Sequence, residues 1–147
     1  MYNYSAFIYA KDAVNIALTG QGTLDGQAGD GTPWCWMSRD YMTDYQDDDR
    51  TALINMNNNR VPVEERIFGQ GHFLRPNFIQ VIGCENVLVE GITLVRSPMW
   101  EVNPVLCTNV TVRGIHISTK AANNDGIDPE SSNVKPRGPG NHPAGSI

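Results

Sequence analysis

Three stretches of the chain share one pattern: a small residue, a spacer, an asparagine and a β-branched run. They are CENVLVEGITL from Cys84, CTNVTVRGIHI from Cys107 and the shorter SSNVK from Ser131. Their asparagines, Asn86, Asn109 and Asn133, are separated by 23 and then 24 residues, and Asn15 in AVNIALTGQGTL stands 71 residues before Asn86, close to three further periods. A period in the low twenties means a solenoid, in which each repeat is one coil stacked on the last.

Within a copy the residues alternate, which is the period of a strand. Val87, Val89, Val110 and Val112 fall on one face, and Leu88, Glu90, Thr111 and Arg113 on the other. Gly91 and Gly114 interrupt the alternation at the same place, and Ile92 with Leu94, like Ile115 with Ile117, resume it after a bend. Leucine-rich repeats share the period but need more leucines and a helical return. The pattern therefore predicts an all-β chain, a right-handed single-stranded parallel β-helix incomplete at both ends. Stacked coils bring equivalent side chains into ladders, so Asn15, Asn86, Asn109 and Asn133 are expected to form an asparagine ladder. Cys84 and Cys107 stack directly and are expected to form a buried apolar ladder, not a disulfide, because stacked Cβ vectors run parallel.

Residues 1–134 read as one partial β-helix domain. A loop insertion occupies about 26–73, and an irregular or disordered tail occupies 135–147. The insertion holds Trp34 and Trp36, which either stack on a sugar or, the preferred reading, anchor the loop to the body. It also holds Asp47, Asp48 and Asp49, read as solvated surface with cation binding as the lesser alternative. In VKPRGPGNHPAGSI the strand pattern begun at Val134 stops at once, because a Pro-rich stretch does not pair as an interior strand. That end of the chain thus reads as artificial or disordered.

Charge and cysteine content narrow the function. The 147 residues carry 16 acids against 11 basic residues, a net charge of −5, with no basic block, which argues against a nucleic-acid partner. No apolar run approaches a membrane span. Cys35, Cys84 and Cys107 fit no zinc-ligand spacing. The segment MYNYSAFIYAKD lacks the features of a secretory signal, so either the protein stays inside or its true N-terminus lies upstream.

The densest polar constellation is AANNDGIDPESS, residues 121–132. Its carboxylates fit turn-capping first, with calcium binding or acid–base work on a sugar as alternatives. The stretches NIALTGQGTLDGQ, LRPNFIQVIGCENVLVEGITLVRSPMWEVNPVLCTNVTVRGIHI and NNDGIDPESS resemble the polygalacturonases, glycoside hydrolase family 28, from about Ser5 to Val134. The resemblance implies a pectin lyase-like solenoid that hydrolyses α-linked galacturonic acid in pectin.

The family's first catalytic motif, Asn-Thr-Asp-Gly, is met as Asn123, Asn124, Asp125 and Gly126. By resemblance Asp125 is one of three aspartates flanking the scissile bond, a base that helps activate water. Inversion needs a general acid facing that base across about 6.5–9.5 Å. By resemblance Asn123 and Asn124 are expected to bind substrate or to support the site, Asp128 to orient the Asp125 loop, and Lys120 either to contact an anionic sugar or to sit as a solvated lysine. His72 and His116 read as structural, His142 as part of the irregular tail, and Trp100 as packing at a strand-to-loop junction, with facing the substrate as the lesser alternative. The family's later motifs, an Asp-Asp pair that includes the general acid, Gly-His-Gly and Arg-Ile-Lys, do not follow Asp125 in these residues. The expectation is a hydrolase fragment inactive by itself, with no cofactor or metal, a pectic substrate, a monomeric full-length form and a secreted or periplasmic location. The alternatives are a non-catalytic β-helical carbohydrate-binding or surface module and, fitting the motifs less well, a calcium-dependent pectate lyase.

Overall fold

The computed structural model describes residues 1–29, 32, 36–37, 44–120 and 122–137. Trp34, Cys35, His142 and the tail from 138 lie outside the described residues. Short strands follow one another around coils: β1 (Ile8–Lys11), β2 (Val14–Thr19) and β3 (Thr23–Asp25), then β4 (Ile79–Ile82), β5 (Glu85–Glu90) and β6 (Thr93–Val95). The next coil holds β7 (Val102–Val105), β8 (Thr108–Arg113) and β9 (His116–Ser118), and β10 (Val134–Arg137) follows. All pair in parallel and in sheet orders β1-β4-β7, β2-β5-β8-β10 and β3-β6-β9. Single bridges from Val102 to Ile127 and from Val105 to Glu130 carry the first sheet onto a fourth coil. This is the expected right-handed parallel β-helix.

The valines that alternate in sequence point inward. Val87, Val89, Val110 and Val112 are buried with Phe78, Ile79, Leu94 and Val102 in one core, while Glu90 and Arg113 pair outside it at 2.8 Å. Cys84 and Cys107 are free, buried and stacked, the Cys84 amide donating to Cys107 Sγ at 3.3 Å. The asparagine ladder forms at its first three rungs: Asn86 Nδ2 donates to Asn15 Oδ1 at 2.8 Å and Asn109 Nδ2 to Asn86 Oδ1 at 2.7 Å. All three residues are left-handed, with φ of 56–58°, a conformation that asparagine tolerates. Asn133 stands in the same register, since Val134 pairs with Val110, but no such bond joins its side chain to the ladder. Ser131 is left-handed too, but it continues the preceding corner position of Asp12, Gly83 and Leu106; from there to the strand the fourth coil is one residue shorter, and Asn133 is not left-handed.

Two expectations about the edges of the repeat need correction. The strand begun at Val134 does not stop there: β10 runs to Arg137 and includes Pro136. The Asn133 amide donates to Cys107 O, and its carbonyl accepts from Val110 N. In a parallel ladder alternate residues face alternate neighbours, so the nitrogen of Pro136 faces away from β8 and no ladder bond is lost. The insertion, in turn, contains a 13-residue helix, α1 (Gln46–Asn58). Asp47, Asp48 and Asp49 form its first turn, where their charge complements the helix dipole. Asp49 is not solvated surface: its Oδ1 meets His72 Nδ1 at 2.6 Å and its Oδ2 accepts from Phe73 N at 2.5 Å. His72 thus ties the helix to the body. Trp36 sits between Tyr4 and Phe73, with centroids 5.5 and 5.3 Å away, and anchors its loop.

Candidate active site

The Asn123–Gly126 loop enters the fourth coil beside β7, at one end of the first sheet. Its scaffold is a buried cation that sequence reasoning did not single out. Arg75 is almost wholly buried, and its Nε donates to Gln46 Oε1 at 3.1 Å. Its Nη1 donates to Pro98 O and Ala122 O, both at 2.9 Å, and its Nη2 to Asn123 Oδ1 at 2.9 Å. One guanidinium therefore joins the insertion helix, the turn after β6 and the loop before Asp125. Burial, and to a lesser degree the charge of Arg50, lowers its pKa, but a guanidinium stays protonated. Four neutral oxygens satisfy the charge, and removal of the cation would leave those of Gln46 and Pro98 buried without it.

On the other side of the loop lies Glu101, 0% exposed. Its amide donates to Asp125 O at 3.2 Å, and its Oε1 accepts from Thr119 Oγ1 at 2.6 Å and Asn124 Nδ2 at 3.2 Å. The second hydrogen of that amide goes to Ser97 O at 3.0 Å. The side chains of Asn123 and Asn124 thus each bond a different buried partner. Asp125 is exposed, and among the described residues its carboxylate has no hydrogen-bond or ion-pair partner. Lys120 is also exposed and forms no ion pair with Asp125.

Asp128 stands half-buried on the same coil. Its pKa is raised, first by burial and then by the charges of Asp125 and Glu130. Strand register puts Tyr9, Gln80 and Asn103 in line with it on the outer face of the first sheet. Asn103 is fully buried there: Nδ2 donates to Asp128 O at 2.8 Å and to Glu130 Oε1 at 3.3 Å, while Oδ1 accepts from Asn77 and Gln80. Among the described residues no group of three or more His, Cys, Asp or Glu could hold a metal ion.

An open groove of about 800 Å³ runs along this face, lined by Tyr4, Tyr9, Lys11, Arg50, Gln80 and Trp100 among others. Glu130 also borders it, whereas Asp125 lies beyond its lining. Trp100 therefore faces the groove as well as packing at its junction, and its Nε1 is buried without a partner.

Coils of 23 to 24 residues, three parallel sheets and an acid-bearing loop at one end of the first sheet define a pectin lyase-like β-helix. The chain belongs to glycosyl hydrolases family 28, which it matches over residues 2–135. It is 34% identical over 65 residues to a probable polygalacturonase of Vitis vinifera, a match that covers 43% of this chain and 13% of that protein. A hyperthermoactive exopolygalacturonase from Thermotoga maritima is similar in structure, with 44% identity and a TM-score of 0.85. That match covers 94% of this chain and 33% of the solved one, so the chain spans about a third of its solved relative.

Proposed function

We propose that this chain carries one of the water-activating carboxylates of a polygalacturonase-type hydrolase, Asp125, and that the reaction inverts the anomeric centre of α-linked galacturonic acid. The observation that carries the reading is the placement of Asp125. It is exposed and unpartnered on a loop braced by Arg75 and Glu101, in a chain of family 28. A carboxylate free of cations is available to accept a proton from water.

Asp128, half-buried three residues after Asp125 and within reach of its charge, helps orient the loop. The groove supplies aromatic faces in Tyr9 and Trp100 and positive charge in Lys11 and Arg50, which suit an anionic sugar chain. Lys120 adds a further cation near the loop. The substrate is a pectic polysaccharide or oligogalacturonide, and the enzyme is secreted or periplasmic, as membership of family 28 suggests.

Inversion needs a general acid about 6.5–9.5 Å from the base. No Asp-Asp pair follows Asp125 in the 147 residues, so this length by itself does not complete the reaction. The purified 147-residue chain is expected to release no reducing ends from polygalacturonate. A longer chain that supplies the pair is expected to hydrolyse it with inversion, and Asp125→Asn in that chain to lower kcat by about 10²-fold or more. Hydrolysis by the 147-residue chain, or a longer enzyme indifferent to Asp125→Asn, would overturn the reading.

A further inference from the structure

Two buried oxygens next to Asp125 have no hydrogen-bond partner: Glu101 Oε2 and Asn124 Oδ1. They belong to side chains already joined, Asn124 Nδ2 donating to Glu101 Oε1. Both amide hydrogens of Asn124 are committed, to Glu101 and to Ser97 O, so the amide is fixed with its oxygen as an acceptor. An ionised Glu101 would also be acceptor-only, and each side chain would then bury one oxygen that no donor reaches. A proton on Oε2 supplies the missing donor.

The charges around Glu101 favour the same state. From the loop, Asp125 contributes a negative charge. From the first sheet's approach, the Arg75 guanidinium spends its donors on Gln46, Pro98, Ala122 and Asn123. At the end of β9, Thr119 donates a neutral hydroxyl, and the neighbouring Lys120 forms no ion pair with Glu101. No cation pairs with this carboxyl among the described residues, and burial of an unpaired carboxylate is costly enough that such groups take up a proton instead.

We propose that Glu101 is held as a neutral carboxylic acid whose Oε2 donates to Asn124 Oδ1, closing a two-point acid–amide pair that orients the loop carrying Asp125. Glu101 is thus a positioning residue. It grips the loop at the Asn124 side chain and, through its own amide, at the Asp125 carbonyl. The raised pKa of Glu101, caused chiefly by burial and opposed by its bonds from Thr119 and Asn124, agrees with this geometry. Loss of the proton at high pH would remove the donor from Asn124 and add a second negative charge beside Asp125. The protonation state stands apart from the reaction; its bearing on catalysis rests on the reading of Asp125 as a base.

Isotope-edited infrared spectroscopy of the 147-residue chain at neutral pH tests the proposal without any need for hydrolysis. The native chain is expected to show a carboxylic-acid carbonyl band, retained in Asp128→Asn and lost in Glu101→Gln. Glutamine keeps one acceptor and replaces the O–H donor by N–H, so Glu101→Gln is expected to fold. It should also lose the fall in urea midpoint that the native chain shows as pH rises above the ordinary glutamate pKa of about 4.3. Absence of the acid band from the native chain, its disappearance in Asp128→Asn, or parallel pH profiles for the native and Glu101→Gln chains would overturn the proposal. If Glu101→Gln does not fold, the native and Asp128→Asn spectra still decide it.

Discussion

Arg75 and Asp125 lie on opposite sides of one loop and answer to opposite demands. Arg75 donates four hydrogen bonds and is 4% exposed, whereas among the described residues the Asp125 carboxylate is exposed and has no partner. Arg75→Met is expected to destabilise the chain by about 2–4 kcal/mol, because it leaves the oxygens of Gln46 and Pro98 buried without their donor and frees the loop at Ala122 and Asn123. Asp125→Asn is expected to stay within about 0.5 kcal/mol of native, and urea unfolding of both variants checks the contrast. Neither supporting residue announces itself in sequence. The loop residues form a contiguous motif, but Arg75 lies 48 residues before Asn123 and no local spacing connects them. Glu101 was in reach of the repeat arithmetic, since one period of 23 residues separates it from Asn124. The available sign was a charge inside an apolar stretch, between Trp100 and Val102.

Strands and corners were legible where side chains alternate, and the ladder makes that legibility testable. Asn86→Ala removes the bond to Asn15 and the bond from Asn109 and forces a left-handed φ of 56° on alanine. It is expected to cost about 2 kcal/mol, and Asn86→Gly, relieved of the backbone strain, about half of that by urea denaturation. The corner glycines differ in a way their shared spacing hides. A Cβ at Gly91 would lie 2.4 Å from Gly20 O, whereas at Gly114 the nearest atom is 4.0 Å away, although both φ values are positive. Gly91→Ala should therefore lower the thermal midpoint clearly more than Gly114→Ala. Helix α1 was illegible for a different reason. QDDDRTALINMNN is polar at nine of its 13 positions and buries only Gln46, so no continuous apolar face marked it as helical. It is held by tertiary bonds at Gln46 and Asp49.

At the scale of the whole molecule, the acids pull stability in two directions as pH changes. Asp25 has its pKa lowered, first by its bond from Arg96, so its contribution is present above the ordinary carboxylate range and fades on acidification. Asp128 behaves oppositely. Its raised pKa means that, above an ordinary value of about 3.9, the unfolded chain has released a proton that the folded chain still holds. Stability falls with each step of pH until the folded carboxyl also ionises. Asp128→Asn is expected to flatten this decline, and urea midpoints taken across the pH range would read it.

The 71-residue separation between the first two coils also sets an order of events. Coils two and three meet across 23 residues, whereas the first coil reaches the second only after the insertion has been closed. The difference in loop-closure entropy is about 1 kcal/mol against the first coil. Its strands also expose more of their surface than β5 and β8 do. Folding should therefore start from β4–β9, with β1–β3 docking afterwards as a separate cooperative unit. Native-state hydrogen exchange is expected to show β2 amides opening at a lower free energy than those of β5 and β8. The insertion that braces the site thus makes the first coil the last part of the molecule to assemble and the first to let go.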